Sequence, residues 1–286
     1  MTTALGEALT VARYAMGESV RRRVFHAAIL LAALFVALYW IGASMLFAQE
    51  LQAPGAHGQV DPQVAPTVFG LALFGIHFLG LALAVFLTMS TVQGDAERGL
   101  LQQVLVRPLS AATYLSGRLA AAIVLSCSYV VATFASTLVV TRVVADWTPG
   151  HAVPALLLLC ASTITMCLLG VFGSIYLSAA ANGILLFMTI GLGMLGGLLG
   201  QIGDGVGSRD VSRLGDLVTR AVPSEALYQG ALHEISTDVV GLGGFVLRLG
   251  PFGGSQKPTV GLLAWCIAYA LVVFALSAWS VRRRDL

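Results

Sequence analysis

No Asp, Glu, Lys or Arg occurs between Asp146 and Asp204. As one helix that stretch would be about 85 Å long, at about 1.5 Å per residue, whereas a hydrocarbon core is about 30 Å thick. The run must therefore cross a membrane, turn and cross again. Its one polar break is Ser178-Ala-Ala-Ala-Asn182-Gly183. Asn-Gly favours a left-handed helix stop and a tight turn, which predicts spans over 153–177 and 183–203.

Four further charge-free stretches reach the roughly 20 residues a span requires: 24–49, 67–92, 119–141 and 258–281. The expected fold is an all-α integral membrane protein, a single domain of six transmembrane helices. Composition agrees: of 286 residues, 57% are hydrophobic and 10% charged, against about 25% charged in a soluble domain. So few charges cannot cover a soluble globule, and disordered chains are polar. The first apolar run is too long, and too far from the N-terminus, for a signal-peptide core.

Fifteen of the sixteen basic residues are Arg, clustered beside the apolar runs. Residues 1–23 carry four, 93–118 three and the C-terminus three, while the opposite short loops carry only Arg142. With six spans the positive-inside rule places both termini in the cytoplasm. No extended basic face exists, so nucleic acid is excluded as a partner. The four cysteines lie inside apolar runs without a C-x-x-C pair. Packing is their expected role, and no metal site is indicated.

Outside the spans, Leu5, Leu9, Ala12, Met16 and Val20 share one helical face, predicting an N-terminal amphipathic interfacial helix over 1–23. In the cytoplasmic 93–118 segment, Leu100, Leu101, Val104 and Leu105 form an apolar stripe. Gln102 and Gln103 face away from it, and Pro108 limits the helix. In the extracytoplasmic 204–257 segment, Pro223-Ser224-Glu225 reads as a cap before Leu227, Tyr228, Ala231, Leu232 and Ile235 at helical spacing. The Gly-rich 239–252 piece is expected to lie on the membrane or dip into it.

Ionisable residues inside spans are costly and kept for function, and none of the four charged types falls within the six spans. No carboxylate is expected at mid-membrane depth, which argues against a proton- or sodium-driven carrier. Mid-span His77 is expected to hydrogen-bond between helices. A Ser174–His77 protease pair lacks a supporting motif. Gly193, Gly196, Gly197 and Gly200 form small-x-x-x-small pairs that permit close helix approach, either within the chain or on a mobile or intersubunit helix. A P-loop needs a Lys in G-x-x-x-x-G-K-[ST]. The single lysine here is Lys257, followed by Pro258, so any ATP must be used by a partner.

The run Gln93-Gly94-Asp95-Ala96-Glu97-Arg98-Gly99-Leu100, continued by Leu105-Val106-Arg107-Pro108-Leu109-Ser110 and Tyr114-Leu115-Ser116-Gly117-Arg118, resembles the cytoplasmic signature of type-two ABC exporter permeases. It is most similar to the permease subunit of nitrous-oxide-reductase and multicopper-enzyme maturation systems. Val222-Pro223-Ser224-Glu225-Ala226-Leu227-Tyr228 looks like that family's stretch before its last span. Leu100 stands where the family usually has Thr, and Arg118 where it has Lys.

The resemblance implies a homodimer in a bacterial or archaeal cytoplasmic membrane, bound to two copies of an ABC ATPase subunit that holds ATP and Mg. This chain would carry no cofactor and no catalytic residue. The 97–107 helix would couple it to the ATPase through Asp95, Glu97, Arg98, Gly99, Leu100, Leu101, Val104, Leu105, Arg107 and Pro108. Spans one, two and five would border the pathway. Two other classes stay open: a non-transporting mechanical relay to an extracytoplasmic maturation partner, and an unrecognised intramembrane enzyme. Lipids, hydrophobic peptides and drugs fit the expected pathway equally.

Overall fold

The computed structural model describes residues 2–21, 23–52, 64–92, 110–236 and 256–283. Among them the chain forms nine α-helices and no strand. They are α1 (Thr2–Arg21), α2 (Arg23–Gln52), α3 (Val64–Thr88), α4 (Ala111–Ala145), α5 (Ala152–Tyr176), α6 (Ala179–Val206), α7 (Arg209–Ala221), α8 (Pro223–Ser236) and α9 (Val260–Arg283). Six of these, α2 to α6 and α9, are long and apolar enough to cross a membrane. Large apolar side chains such as Leu30, Leu38, Met45, Leu157, Met188 and Leu271 stand exposed along them. This is the surface of a multi-pass membrane protein, where lipid rather than water meets the outer face.

Lipid tails are as apolar as leucine, so close packing and hydrogen bonds must hold such a bundle together. One core joins Phe69, Leu73 and Ile76 of α3, Val130 and Phe134 of α4 and Leu159 of α5 to Leu227 and Leu232 of α8. A second, nearer the other end, joins Leu81, Val85, Leu115, Met166, Val171 and Leu186. Phe69 meets Phe134 edge-on at 5.5 Å.

The structure corrects one sequence expectation and adds to two others. First, the turn between the fourth and fifth spans is at Leu177-Ser178, not at Asn182-Gly183. Ser178 caps α6, its hydroxyl accepting the Ala181 amide at 3.4 Å. Asn182 and Gly183 sit inside the first turns of α6 and are buried. The Asn side chain bonds across to neighbouring helices instead of ending its own.

Second, α1 packs on α4 through small residues and leaves bulky members of its expected interfacial face uncovered. Ala12 and Ala15 are buried, whereas Leu9 and Val20 are exposed. The small face wins because α1 lies against Gly117 of α4. A Cβ at Gly117 would stand 2.7 Å from Val11 Cβ and 2.8 Å from the Ala8 carbonyl.

Third, the 204–236 part of the expected extracytoplasmic segment, with its expected helix from Pro223, is packed into the helix bundle. α6 ends at Gly207, in the left-handed region at φ 73°, and α7 runs back along α6. A Cβ at Gly215 would lie 2.7 Å from Gly200 Cα and 2.8 Å from the Gly196 carbonyl. α8 then reverses direction and packs against α5, α3 and α6. Leu227, Tyr228, Ala231, Leu232 and Ile235 are all buried there. At about 1.5 Å per residue, α7 carries the chain back by about 20 Å. The α7–α8 hairpin folds back into the bundle.

Candidate functional site

Two polar constellations stand out in an otherwise apolar bundle. The first surrounds the ends of the 93–109 connection. Asn182 Nδ2 donates to the Met89 carbonyl at 3.0 Å and to the Gly170 carbonyl at 2.8 Å. Ser174 Oγ accepts the Val92 amide at 3.3 Å. The chain leaving α3 is thus tied to α5 and α6 up to Val92, itself buried. Gly170 and Gly173 permit this approach: side chains there would collide with Thr88 Oγ1 and with the Asn182 amide.

On the other side of the connection, Ser110 caps α4 by accepting the Thr113 amide at 3.1 Å. Arg118, on the third turn of α4, donates to Glu18 of α1 at 2.8 Å and lies over the Tyr114 ring at 5.8 Å. Its side chain is 9% exposed and that of Glu18 20%, a partly desolvated pair that fixes α1 to α4. Asp95, Glu97, Arg98, Gly99, Leu100, Leu101, Val104, Leu105, Arg107 and Pro108 lie outside the described residues. So does the 239–252 piece.

The second constellation is deep inside. Glu225, Tyr228 and Gln229 of α8 are 5%, 1% and 1% exposed, and His77 of α3 is 4% exposed. The His77 and Tyr228 rings stack at 4.5 Å and 17°. The Glu225 carboxylate accepts from Gln229 Nε2 at 3.4 Å. Ser162 of α5 donates to the Ser224 carbonyl at 2.8 Å. His77, Ser162 and Gly193 all lie near the midpoints of their helices, so this cluster sits at mid-bundle depth. The expectation of no carboxylate there is overturned. The acidic residues of the six long helices, Glu50 and Asp204, lie near helix ends, but the hairpin inserts Glu225 among the helix midpoints.

The glycine stripe of α6 faces this hairpin. A Cβ at Gly193 would lie 3.1 Å from Glu225 Cβ, one at Gly196 2.6 Å from Val218 Cγ1, and one at Gly197 2.6 Å from Gln229 Nε2. Gly200 meets Gly215 of α7. Small residues on α6 thus make room for α7 and α8 of the same chain.

Burial, opposed by the Gln229 hydrogen bond, pushes the Glu225 carboxyl up to about 7. The Tyr228 phenol is held well above its usual value, by burial first and by the neighbouring Glu225 charge second. His77 Nδ1 and Gln229 Oε1 are buried without a hydrogen-bond partner. His77 meets α8 through a ring stack on Tyr228. Ser174 and His77 serve different constellations and form no catalytic pair. No group of three His, Cys, Asp or Glu suited to a metal occurs among the described residues.

Two signals in the sequence point to the buried cluster. Glycines at 193, 196, 197, 200 and 203 demand a close neighbour along a whole helix face. The 209–221 stretch offers Gly215 and Thr219 on the complementary face of a strongly amphipathic helix.

A lateral groove of about 930 Å³ opens between α2 and α4, lined by Ile29, Ala33, Val36, Trp40, Tyr129, Thr133 and Ser136 among others. Tyr129 donates to the Ala28 carbonyl at 3.2 Å, and the Tyr39 and Thr141 hydroxyls bond at 2.7 Å. These two tyrosines pin α2 at two levels, while its central apolar stretch is nowhere buried.

No protein-family model matches the chain, and no curated protein matches it. A functional reading therefore rests on its own residues and geometry.

Proposed function

We propose that this chain is the membrane-spanning permease subunit of an ATP-driven ABC exporter-type complex. It acts as a homodimer with two copies of a separate ATPase, and both its termini face the cytoplasm. The observation that carries the reading is how the chain on either side of 93–109 is tied to neighbouring helices. That segment bears the family-like motif and the apolar stripe of Leu100, Leu101, Val104 and Leu105. An apolar stripe on a cytoplasmic segment calls for a partner surface.

The ends of the connection are tied to the elements that a pump must move. Asn182 and Ser174 bind the chain before it, at Met89 and Val92, to α6 and α5, and Arg118 of the helix after it binds Glu18 of α1. A push delivered between Val92 and Ser110 reaches α5 and α6 from the end of α3, and α1 from α4, through short contacts. The α2–α4 groove, apolar with a few hydroxyls, suits a hydrophobic or amphipathic substrate.

The test is recovery of the ATPase with full-length chain from native membranes. Wild type is expected to retain a P-loop ATPase subunit. Leu101→Asp with Leu105→Asp, which places two carboxylates in an apolar contact at a cost of several kcal/mol at the order-of-magnitude level, is expected to insert normally and lose it. A wild-type chain that brings down no ATPase overturns the reading. A double variant that keeps both partner and coupled turnover removes 97–107 as the transmission element. Reporter fusions at both termini and at Pro54 test the orientation, and a C-terminus outside the cytoplasm contradicts it.

A further inference from the structure

We propose that Glu225 is a proton-binding site inside the membrane domain, and that its bound proton keeps the α7–α8 hairpin docked on α6. The proposal is independent of any ATPase. It starts from an imbalance within one pair of side chains. Gln229 Nε2 donates to Glu225 Oε1 at 3.4 Å, yet Gln229 Oε1 is buried with no donor. A carboxylate only accepts, so it cannot supply that donor. A carboxylic acid can. With its proton in place, Glu225 offers both the acceptor that Nε2 uses and the O–H that Oε1 lacks. The acid and the amide then form a doubly bonded pair.

The surroundings leave the charged form little other support. α6 faces the carboxyl with Gly193 and Gly197, and a Cβ at Gly197 would stand 3.3 Å from Glu225 Oε1. α5 contributes the Ser162 hydroxyl, committed to the Ser224 carbonyl. α3 contributes His77, stacked on Tyr228. Asp216 and Arg220 of α7 and Lys257 of the chain before α9 line a groove of about 610 Å³ that reaches Ala226, while Arg209, Asp210 and Arg213 of α7 are not among its lining. Burial raises the Glu225 carboxyl to about 7, so the proton exchanges in the physiological range.

The step is a simple proton exchange: the Glu225 O–H breaks, its electron pair stays on the carboxylate, and the proton passes to solvent at the groove beside Ala226. The carboxylate that remains is desolvated against glycine backbone, and Gln229 Oε1 loses its donor. Both costs fall on the docked hairpin alone, so deprotonation favours its release from α6.

Two measurements on the full-length chain in lipid nanodiscs test this. Infrared titration is expected to show a carboxylic-acid C=O band that disappears with a midpoint near pH 7 and is missing in Glu225→Gln. Hydrogen exchange over 209–236, corrected for the intrinsic effect of pH, is expected to lose about tenfold in protection from pH 6 to pH 8 in wild type, the factor for one proton lost with a midpoint near 7. Glu225→Gln is expected to show no such fall. Absence of the band, equal protection at both pH values, or the same fall in Glu225→Gln overturns the proposal. Should Glu225→Gln fail to fold, Glu225→Asp keeps an acid at the site and must shift the band. An unmoved band assigns the proton elsewhere and equally overturns it.

Discussion

The side-chain nitrogen of Asn182 lies 3.0 Å from the carbonyl oxygen of Met89, so the first turn of α6 holds the chain leaving α3. The same nitrogen reaches the Gly170 carbonyl of α5. One buried amide thereby joins three helices, in a medium where hydrogen bonds and close packing replace the hydrophobic effect between helices. Asn182→Leu is expected to cost about 1–3 kcal/mol, the penalty of losing a buried donor. Asn182→Asp, of the same shape, puts oxygen against two carbonyl oxygens and is expected to cost at least as much. Thermal unfolding in detergent decides, and an Asp variant as stable as wild type refutes the account.

Glu18 and Arg118 make the polar tie between α1 and α4. Arg118 is the more buried partner, so removing Glu18 leaves a poorly solvated cation. Glu18→Ala is expected to loosen α1 by about 1–3 kcal/mol, discounted from the cost of breaking a fully buried pair because Glu18 still meets solvent. The exchange Glu18→Arg with Arg118→Glu is expected to restore much of the loss. Protease sensitivity of α1 is a direct readout. Equal protection of α1 in wild type and Glu18→Ala would show that Ala8, Val11 and Gly117 hold it without the ion pair.

The six long helices were legible in the sequence because a charge in hydrocarbon is costly wherever it falls, so charge-free windows mark spans without knowledge of the fold. The 223–236 helix was legible too, from Leu227, Tyr228, Ala231, Leu232 and Ile235. Its depth was not. Glu225 reads from sequence as part of a helix cap, and its pairing with Gln229 opposite glycine is visible only in the fold. The Asn182-Gly183 turn failed for a related reason. A side chain that favours a helix stop locally is worth more here as a cross-link to Met89 and Gly170. On α1, the bulky residues made the visible stripe, but the contact with Gly117 admits only the small face.

The glycine stripe yields a sharper contrast. Gly215 approaches the backbone of Gly200 and the Gly196 carbonyl, atoms that cannot rotate away, whereas Gly191 faces open space. Gly215→Ala is expected to unseat α7 from α6, at a cost of about 1–3 kcal/mol for forced overpacking. Gly191→Ala, on the same helix as the stripe, is expected to be neutral or to stabilise by up to about 1 kcal/mol through helix propensity. Measuring both by unfolding and by exchange over 209–221 separates packing from propensity. Equal effects of the two would mean that the hairpin does not depend on this contact.

Stability should also carry the titration of Glu225. Its carboxyl is raised from 4.5 to about 7 by burial, so between these values the folded chain binds more protons than the unfolded one. Stability therefore falls as pH rises across that window. The contribution is present in full below about 4.5 and lost as pH rises through about 7. Above that, both states are ionised and the dependence on this group ends. Glu225→Gln never ionises, so its pH profile is expected to be flatter over the same window and its stability at pH 8 to exceed that of wild type. Unfolding midpoints of the two chains, taken at matched ionic strength from pH 5 to pH 8, provide the comparison. Parallel profiles would mean that Glu225 keeps an ordinary carboxyl in the folded chain.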